Sequence, residues 1–295
     1  MFGWLNGRSG DVIPEQYNRS AGVEVPVSGR QAPGNPVASP QAAPAEFDAH
    51  AETYDGGMDN PVKALLGDSA DDFVAIKLRW LLGRFPHLRF QNSSFRVLDY
   101  GCGTGTLLRL MALEGLQASL LGSDIASGML GQVARHWPEE MPLPELYQQD
   151  GAQTFIAPGS VDLIIVSSVL HHVEPADRPA VYAELHRLLR PRGDLVAFEH
   201  NPFNPVTRYV VANTPIDRNA ILLRSGKLRA GLSQMRFTDL RTSYLMFFPP
   251  RLRVLAPFEN AIGWLPLGGQ YAVTARRGDI GEATATPASQ IVGAN

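Results

Sequence analysis

The chain has 295 residues, 44% of them hydrophobic, and carries a net charge of −3. It contains no apolar run of the roughly 18 residues that a spanning helix needs, and MFGWLNGRSGDV at its start lacks the apolar core of a secretory signal. The single cysteine, Cys102, excludes an internal disulfide, so a cytoplasmic protein is expected.

The small net charge conceals a division. Residues 46–204 hold 12 basic and 21 acidic side chains, whereas residues 205–277 hold 11 and 3, a local charge of +8. Such an excess either meets an anionic partner or balances an acidic neighbouring surface. Residues 1–45 place Pro14, Pro26, Pro33, Pro36, Pro40 and Pro44 among Gly, Ala, Ser and Gln, without apolar periodicity, and residues 278–295 read the same way. Both ends are expected to be disordered tails flanking one domain over residues 46–277.

The folded part opens at Phe47. In SADDFVAIKLRWLLGRF, Ser69 and Asp72 have capping-box spacing, and Phe73, Ile76, Trp80 and Leu81 recur at helical intervals up to Gly83. FRVLDYG reads as a strand, residues 105–115 as a helix, LQASLLGSD as a strand, SGMLGQVARHW as a helix and ELYQQD as a third strand. VDLIIVSSVLHH has the continuous apolar run of a strand buried on both faces. PADRPAVYAELHRLLR places Val181, Leu185, Leu188 and Leu189 on one helical face, and PRG separates it from the strand DLVAFEHN. EHNPFNPVTR is expected to be a fixed loop. TDLRTSYLMFFPP reads as a strand, PRLRVLAPFENAIGWL as a helix and GGQYAVTARR as the last strand. Alternating strands and helices imply a parallel sheet, with a ligand site at the strands' C-terminal ends.

The ligand is indicated by RVLDYGCGTG. Gly101, Gly103 and Gly105 follow a strand and precede a helix, in the spacing G-x-G-x-G. A dinucleotide loop has G-x-G-x-x-G, and here Asp99 would repel a pyrophosphate. VLDYGCGTG resembles the first motif of class I S-adenosylmethionine-dependent methyltransferases of the small-molecule kind, and later positions continue the resemblance in order from about Phe47 to Arg276.

The resemblance implies an α/β, Rossmann-like, seven-stranded, mostly parallel sheet with helices on both faces and an antiparallel last strand. It implies S-adenosylmethionine as cofactor and assigns site residues. Gly101 and Gly103 would lie against the methionine and ribose, with Cys102 at a variable place in the same cofactor loop. Asp99 would orient the loop and the cofactor's amino group, and Asp124 would accept from both ribose hydroxyls, since a carboxylate offers acceptors only. Ile125 and Met129 would pack beside the adenine, Asp150 would accept from its amino group with Gly151 alongside, and Ser167 would offer a carbonyl to the methionine ammonium. Tyr54 resembles the tyrosine of an N-terminal lid. Lys77 has two readings, a contact to the cofactor carboxylate or an exposed helical lysine.

Transfer of a sulfonium methyl group is an in-line displacement that depends mainly on alignment. Where the acceptor must lose a proton, the candidates are His171, His172, Glu199 and His200, all expected at the ends of the fourth and fifth strands. The alternative for the paired histidines is that they begin a helix and brace the pocket. Asn201, Asn204 and Arg208 are candidate substrate contacts.

Base-methylating enzymes carry an Asn or Asp-Pro-Pro-aromatic motif after the fourth strand, where this chain has Ser167-Ser168-Val169-Leu170, and nucleic acid is not the expected partner. Catechol-type enzymes use a metal held by acids after the fourth and fifth strands; here the fourth ends in serines, which disfavours Glu199 with His200 as a metal site, and no metal is expected. The expected function is methyl transfer to a small-molecule acceptor, with an anionic acceptor giving the +8 segment a purpose. A catalytically silent cofactor-binding scaffold subunit and an NAD-dependent dehydrogenase are the alternatives.

Overall fold

The computed structural model describes Phe47 and residues 70–278. The Pro-rich N-terminal stretch, Tyr54, Ser69 of the expected capping box and residues 279–295 lie outside the described residues.

Seven strands form one sheet in the order β3-β2-β1-β4-β5-β7-β6. The strands are β1 (Arg96–Tyr100), β2 (Ser119–Asp124), β3 (Glu145–Gln148), β4 (Val161–Ser167), β5 (Leu189–His200), β6 (Phe237–Leu245) and β7 (Gln270–Arg277). The first five pair in parallel, and β7 is antiparallel to both β5 and β6. The expected antiparallel ending is present, with the last strand inserted between its two neighbours.

Alternation along the central strands sorts side chains to two faces. Val97, Leu163, Ile165, Val196 and Phe198 pack with helices α1 (Ala70–Arg84) and α2 (Thr106–Leu113). Leu98, Tyr100, Ile164, Val166, Leu195 and Ala197 pack with α4 (Arg178–Leu188) and α6 (Ser225–Gln234). Period two therefore sends Asp99 to the α1 side, with Val97. Helix α3 (Ser127–Arg135) covers β2 and β3.

Three local expectations are corrected and one helix is added. Leu189 leaves the expected helical face: α4 stops at Leu188, and β5 starts at Leu189 with a register shift opposite Val161 and Leu163. EHNPFNPVTR is a loop only as far as Asn204. The side chain of Asn204 accepts the Thr207 N–H at 3.0 Å and caps α5 (Pro205–Ala212), with Pro205 in the first turn, where a missing N–H costs nothing. Helix α6 went unread because SGKLRAGLSQ contains two glycines and buries only Leu228 and Leu232. The expected helix after Pro250 is split into a 3₁₀ segment (Pro250–Leu255) and α7 (Ala256–Ile262), because Pro257 has no N–H to continue the first helix.

Candidate active site

The glycine turn is held by β2. Gly101 and Cys102 both donate backbone N–H groups to the Ser123 carbonyl, and Gly103 donates to Asp124 Oδ2 at 2.8 Å. Gly101, Gly103 and Gly105 all have positive φ, between 54° and 78°, a region that L side chains rarely adopt. A Cβ on Gly101 would also lie 2.5 Å from Val169, so the turn touches the loop after β4. Cys102 turns its buried sulfur into the cluster of Leu108, Leu130, Val133 and Trp137, where burial raises its pKa well above the ordinary thiol value. Only its backbone is left to face a ligand.

At the end of β2, the carboxylate of Asp124 also accepts the Ala126 N–H at 2.9 Å, so it fixes both the glycine turn and the start of α3. Met129 is buried beside Ala126, against Phe47 and Ile216, with Ile125 half-buried next to them. Asp150 is exposed in a turn closed by two backbone hydrogen bonds with Gln153; Gly151 has φ 58°, and the Tyr100 hydroxyl donates to the Ala152 carbonyl at 2.6 Å.

Lys77 is not the exposed helical lysine of the plainer reading. It is 5% exposed, and its ammonium donates to Ser167 Oγ at 2.8 Å and Ser168 Oγ at 3.0 Å. Burial pulls its pKa down to about 8 against the attraction of Glu199, Asp99 and Asp217. Asp99 is 2% exposed, and its Oδ1 has no hydrogen-bond partner among the described residues. Burial pushes its pKa up to about 7, with Lys77 opposing and Asp124 adding to the rise. The signal for Lys77 was its position at helical spacing between Phe73 and Leu81, on the buried stripe of α1.

The candidate acceptor-side residues gather around Glu199, which is fully buried. Its Oε1 accepts the Val169 and Leu170 N–H groups, and its Oε2 lies 2.6 Å from His171 Nδ1. Both oxygens are thus engaged with the chain, which corrects its reading as a base: Glu199 positions the loop after β4. His171 is also buried, and its ring lies 4.1 Å from that of His172 and 4.9 Å from that of His200. Burial works to lower the pKa of His171, but Glu199 and Asp217 outweigh it and hold it up at about 9. Burial and the adjacent His171 push His172 down to about 4 and His200 down to about 3.

Asp217, which the sequence reading missed, closes this group from the 3₁₀ turn Pro215–Asp217, and its Oδ1 is 3.5 Å from Nε2 of both His171 and His172. It is one of only three acids in the basic segment, the one available signal. Phe47 stacks edge-on to His172 at 5.2 Å.

The candidate substrate residues separate. Asn201 is fully buried and donates to the Pro266 and Gly268 carbonyls, and Asn204 caps α5 while donating to the Leu267 carbonyl. Both clamp the segment before β7, which corrects their reading as substrate contacts. Arg208 is exposed on α5.

A family model described as a methyltransferase domain matches residues 97–193, from β1 into β5. Residues 97–193 thus carry a methyltransferase domain, and the comparisons support a class I S-adenosylmethionine-dependent methyltransferase. Among curated proteins, the chain is 27% identical over 145 residues to the malonyl-[acyl-carrier protein] O-methyltransferase of Legionella pneumophila, covering 47% of the chain and 49% of the relative. It is 33% identical over 120 residues to the ubiquinone biosynthesis O-methyltransferase of Thiobacillus denitrificans, covering 40% and 47%. The chain thus spans about half the length of each. In fold it is similar to a SAM-dependent methyltransferase from Archaeoglobus fulgidus, with a TM-score of 0.51 and 18% identity over 71% of this chain and 95% of that one.

The cofactor of those proteins is S-adenosylmethionine, and the residues of this chain fit it. The unpartnered Asp99 oxygen lies at the end of β1, where a cationic amino group would satisfy it, and acceptor-only Asp124 stands at the end of β2.

Proposed function

We propose that the chain transfers a methyl group from S-adenosylmethionine to an oxygen nucleophile of a small anionic acceptor, with residues 46–277 as the working unit. The observation that carries this reading is Asp99, a buried carboxylate with one oxygen unpaired at the glycine turn, beside buried Lys77. Bound at that turn, the cofactor supplies an electrophilic sulfonium methyl group.

The chain's own part is alignment. Asp99 holds the amino group of the methionine moiety, and the Gly101–Gly103 backbone bounds its path. Asp124 takes the ribose hydroxyls while keeping Gly103 in place. Ile125, Met129 and Phe47 form an apolar wall that keeps water from one side. Ser167 and Ser168, fixed by Lys77, set the end of β4, and Glu199 fixes the loop that carries His171 and His172 toward the acceptor. Alignment of this kind is worth several kcal/mol of barrier when the reacting atoms are held near contact.

Oxygen is favoured because two of the relatives are O-methyltransferases by name, and an anion because Arg208 on α5, Arg218 next to Asp217 in sequence and Arg224 at the start of α6 are all exposed. The relatives' different acceptors leave the identity of this one to experiment. Labelled methyl groups transferred from S-adenosylmethionine into metabolite fractions, with mass spectrometry of the product, test the reading. Raising the salt should raise the acceptor's KM, and an unchanged KM removes the anionic assignment. Tight cofactor binding without turnover on any fraction would support the scaffold alternative. The dehydrogenase alternative is disfavoured by the Gly103 N–H, which donates to Asp124 where a pyrophosphate would need it.

A further inference from the structure

Three ligand atoms from two segments converge beside the acceptor site: Nε2 of His171, Nε2 of His172 and Oδ1 of Asp217. We propose that these residues bind one divalent transition-metal ion, with zinc as the reference ion and Glu199 as the carboxylate behind His171.

The spacing is the first argument. Asp217 Oδ1 stands 3.5 Å from each imidazole nitrogen, and the three residues offer ligand atoms within 4.8 Å of one another. Four ligands at about 2.0–2.1 Å from a tetrahedral ion are separated by about 3.4 Å. Side chains that simply hydrogen-bond would lie nearer, at about 2.7–3.2 Å.

The second argument is the proton on His171. Glu199 already accepts two backbone N–H groups, so its 2.6 Å contact places an N–H on His171 Nδ1. His171 Nε2 is buried without a hydrogen-bond partner among the described residues and faces the Asp217 carboxylate at 3.5 Å, and an ion between the two would engage both. A carboxylate donated to by the far nitrogen of a ligating histidine is the usual support of such an ion. Glu199 and Asp217 together also supply two negative charges against a divalent ion, so the buried group is balanced.

The segments are fastened together without the ion. The Ile221 N–H donates to the His171 carbonyl at 2.7 Å, and Arg178 donates to the carbonyls of Leu170, Val173 and Ile221. The ligands are therefore held in place on both sides. Two imidazoles and one carboxylate favour zinc, cobalt or iron over magnesium, which prefers oxygen. Three protein ligands leave a fourth position, and His172, 18% exposed, lies on the open side, where water or an acceptor oxygen can complete the shell. The serines that end β4 do not bear on this site, which begins three residues later and takes its carboxylate from another segment.

The test uses the full-length chain, without an affinity tag, stripped with chelator and titrated with zinc against a chromogenic chelator, and with cobalt(II) while visible spectra are recorded. The expected result is one ion per chain with a Kd of about 1 µM or tighter, and cobalt absorption typical of four or five ligands. His172→Ala and Asp217→Asn should each weaken binding at least about 100-fold, and Glu199→Gln by about 10–100-fold. His87→Ala and His136→Ala should leave it unchanged. Absence of stoichiometric binding by the wild-type chain overturns the proposal, as does binding that survives both ligand substitutions. S-adenosylmethionine affinity measured on the stripped chain separates this outcome from failure of the methyltransferase reading.

Discussion

Lys77→Met removes a buried ammonium at nearly constant volume. The two hydrogen bonds to Ser167 and Ser168 are lost, but so is the penalty for burying the charge, so the change in stability should be small and of either sign. The larger effect falls on Asp99. Lys77 opposes the rise of the Asp99 pKa, which stands at about 7 with the lysine present. An opposite charge nearby is worth about one to two units, so without it the ionised fraction of Asp99 at pH 7 should fall about 5- to 50-fold. If Asp99 binds the cofactor's amino group as a carboxylate, the Kd for S-adenosylmethionine should rise by that factor at pH 7. At pH 8.5 the gap should narrow to about 1- to 4-fold, because the carboxyl ionises again. Isothermal titration calorimetry at both values, in buffers of different ionisation enthalpy, measures affinity and proton release together. An equal loss at the two pH values would mean that Lys77 acts by a route other than the charge of Asp99. No loss at either would refute the reasoning.

The raised pKa of Asp99 also sets a sign for stability. The folded state holds this proton more tightly than the unfolded chain, so its contribution is present at low pH and is lost as the pH rises through about 7. Asp99→Asn should therefore stabilise the chain more at pH 8 than at pH 4, and denaturant midpoints that shift equally at both would contradict this. Asp124→Ala should weaken cofactor binding by about 1.5–3 kcal/mol by calorimetry, from loss of charge-assisted hydrogen bonds, and unchanged affinity would remove Asp124 from the site. Gly101→Ala should lower the melting temperature through its φ of 75° and the 2.5 Å approach to Val169. Adding Val169→Ala should restore only part of that loss, because the backbone strain of roughly 1–3 kcal/mol remains; full restoration would show that the conformation of the turn carries no strain.

The sheet was legible because its central strands are apolar runs bounded by glycines and turn residues, and the cofactor half because glycines and acids stand at strand ends in a fixed order. The acceptor half was less so. Lys77 reads as polar in any composition, and only its place on the stripe of α1 shows that it is buried. Glu199, Asn201 and Asn204 have the chemistry of site residues, but their hydrogen bonds go to the chain's own backbone, and no local pattern distinguishes the two uses. Asp217 reaches the histidines through a connection of 44 residues after His172, a distance that no helical or strand period encodes. Helix α6 is held by contact instead of propensity: a Cβ on Gly231 would meet the Tyr182 ring at 2.5 Å.

The clamp made by Asn201 and Asn204 has a consequence for how this protein can change. Asn201 joins the end of β5 to the carbonyls of Pro266 and Gly268, its own N–H reaches the Gly269 carbonyl, and Asn204 holds Leu267. These bonds close the 246–269 connection at its root, so residues beyond the clamp can lengthen, shorten or be exchanged without shifting β5. Glu199 sits on the inner side of that seam and the exposed Trp264 on the outer side. New acceptors could then be explored by rewriting the outer segment, while the glycine turn and its acids keep the same cofactor.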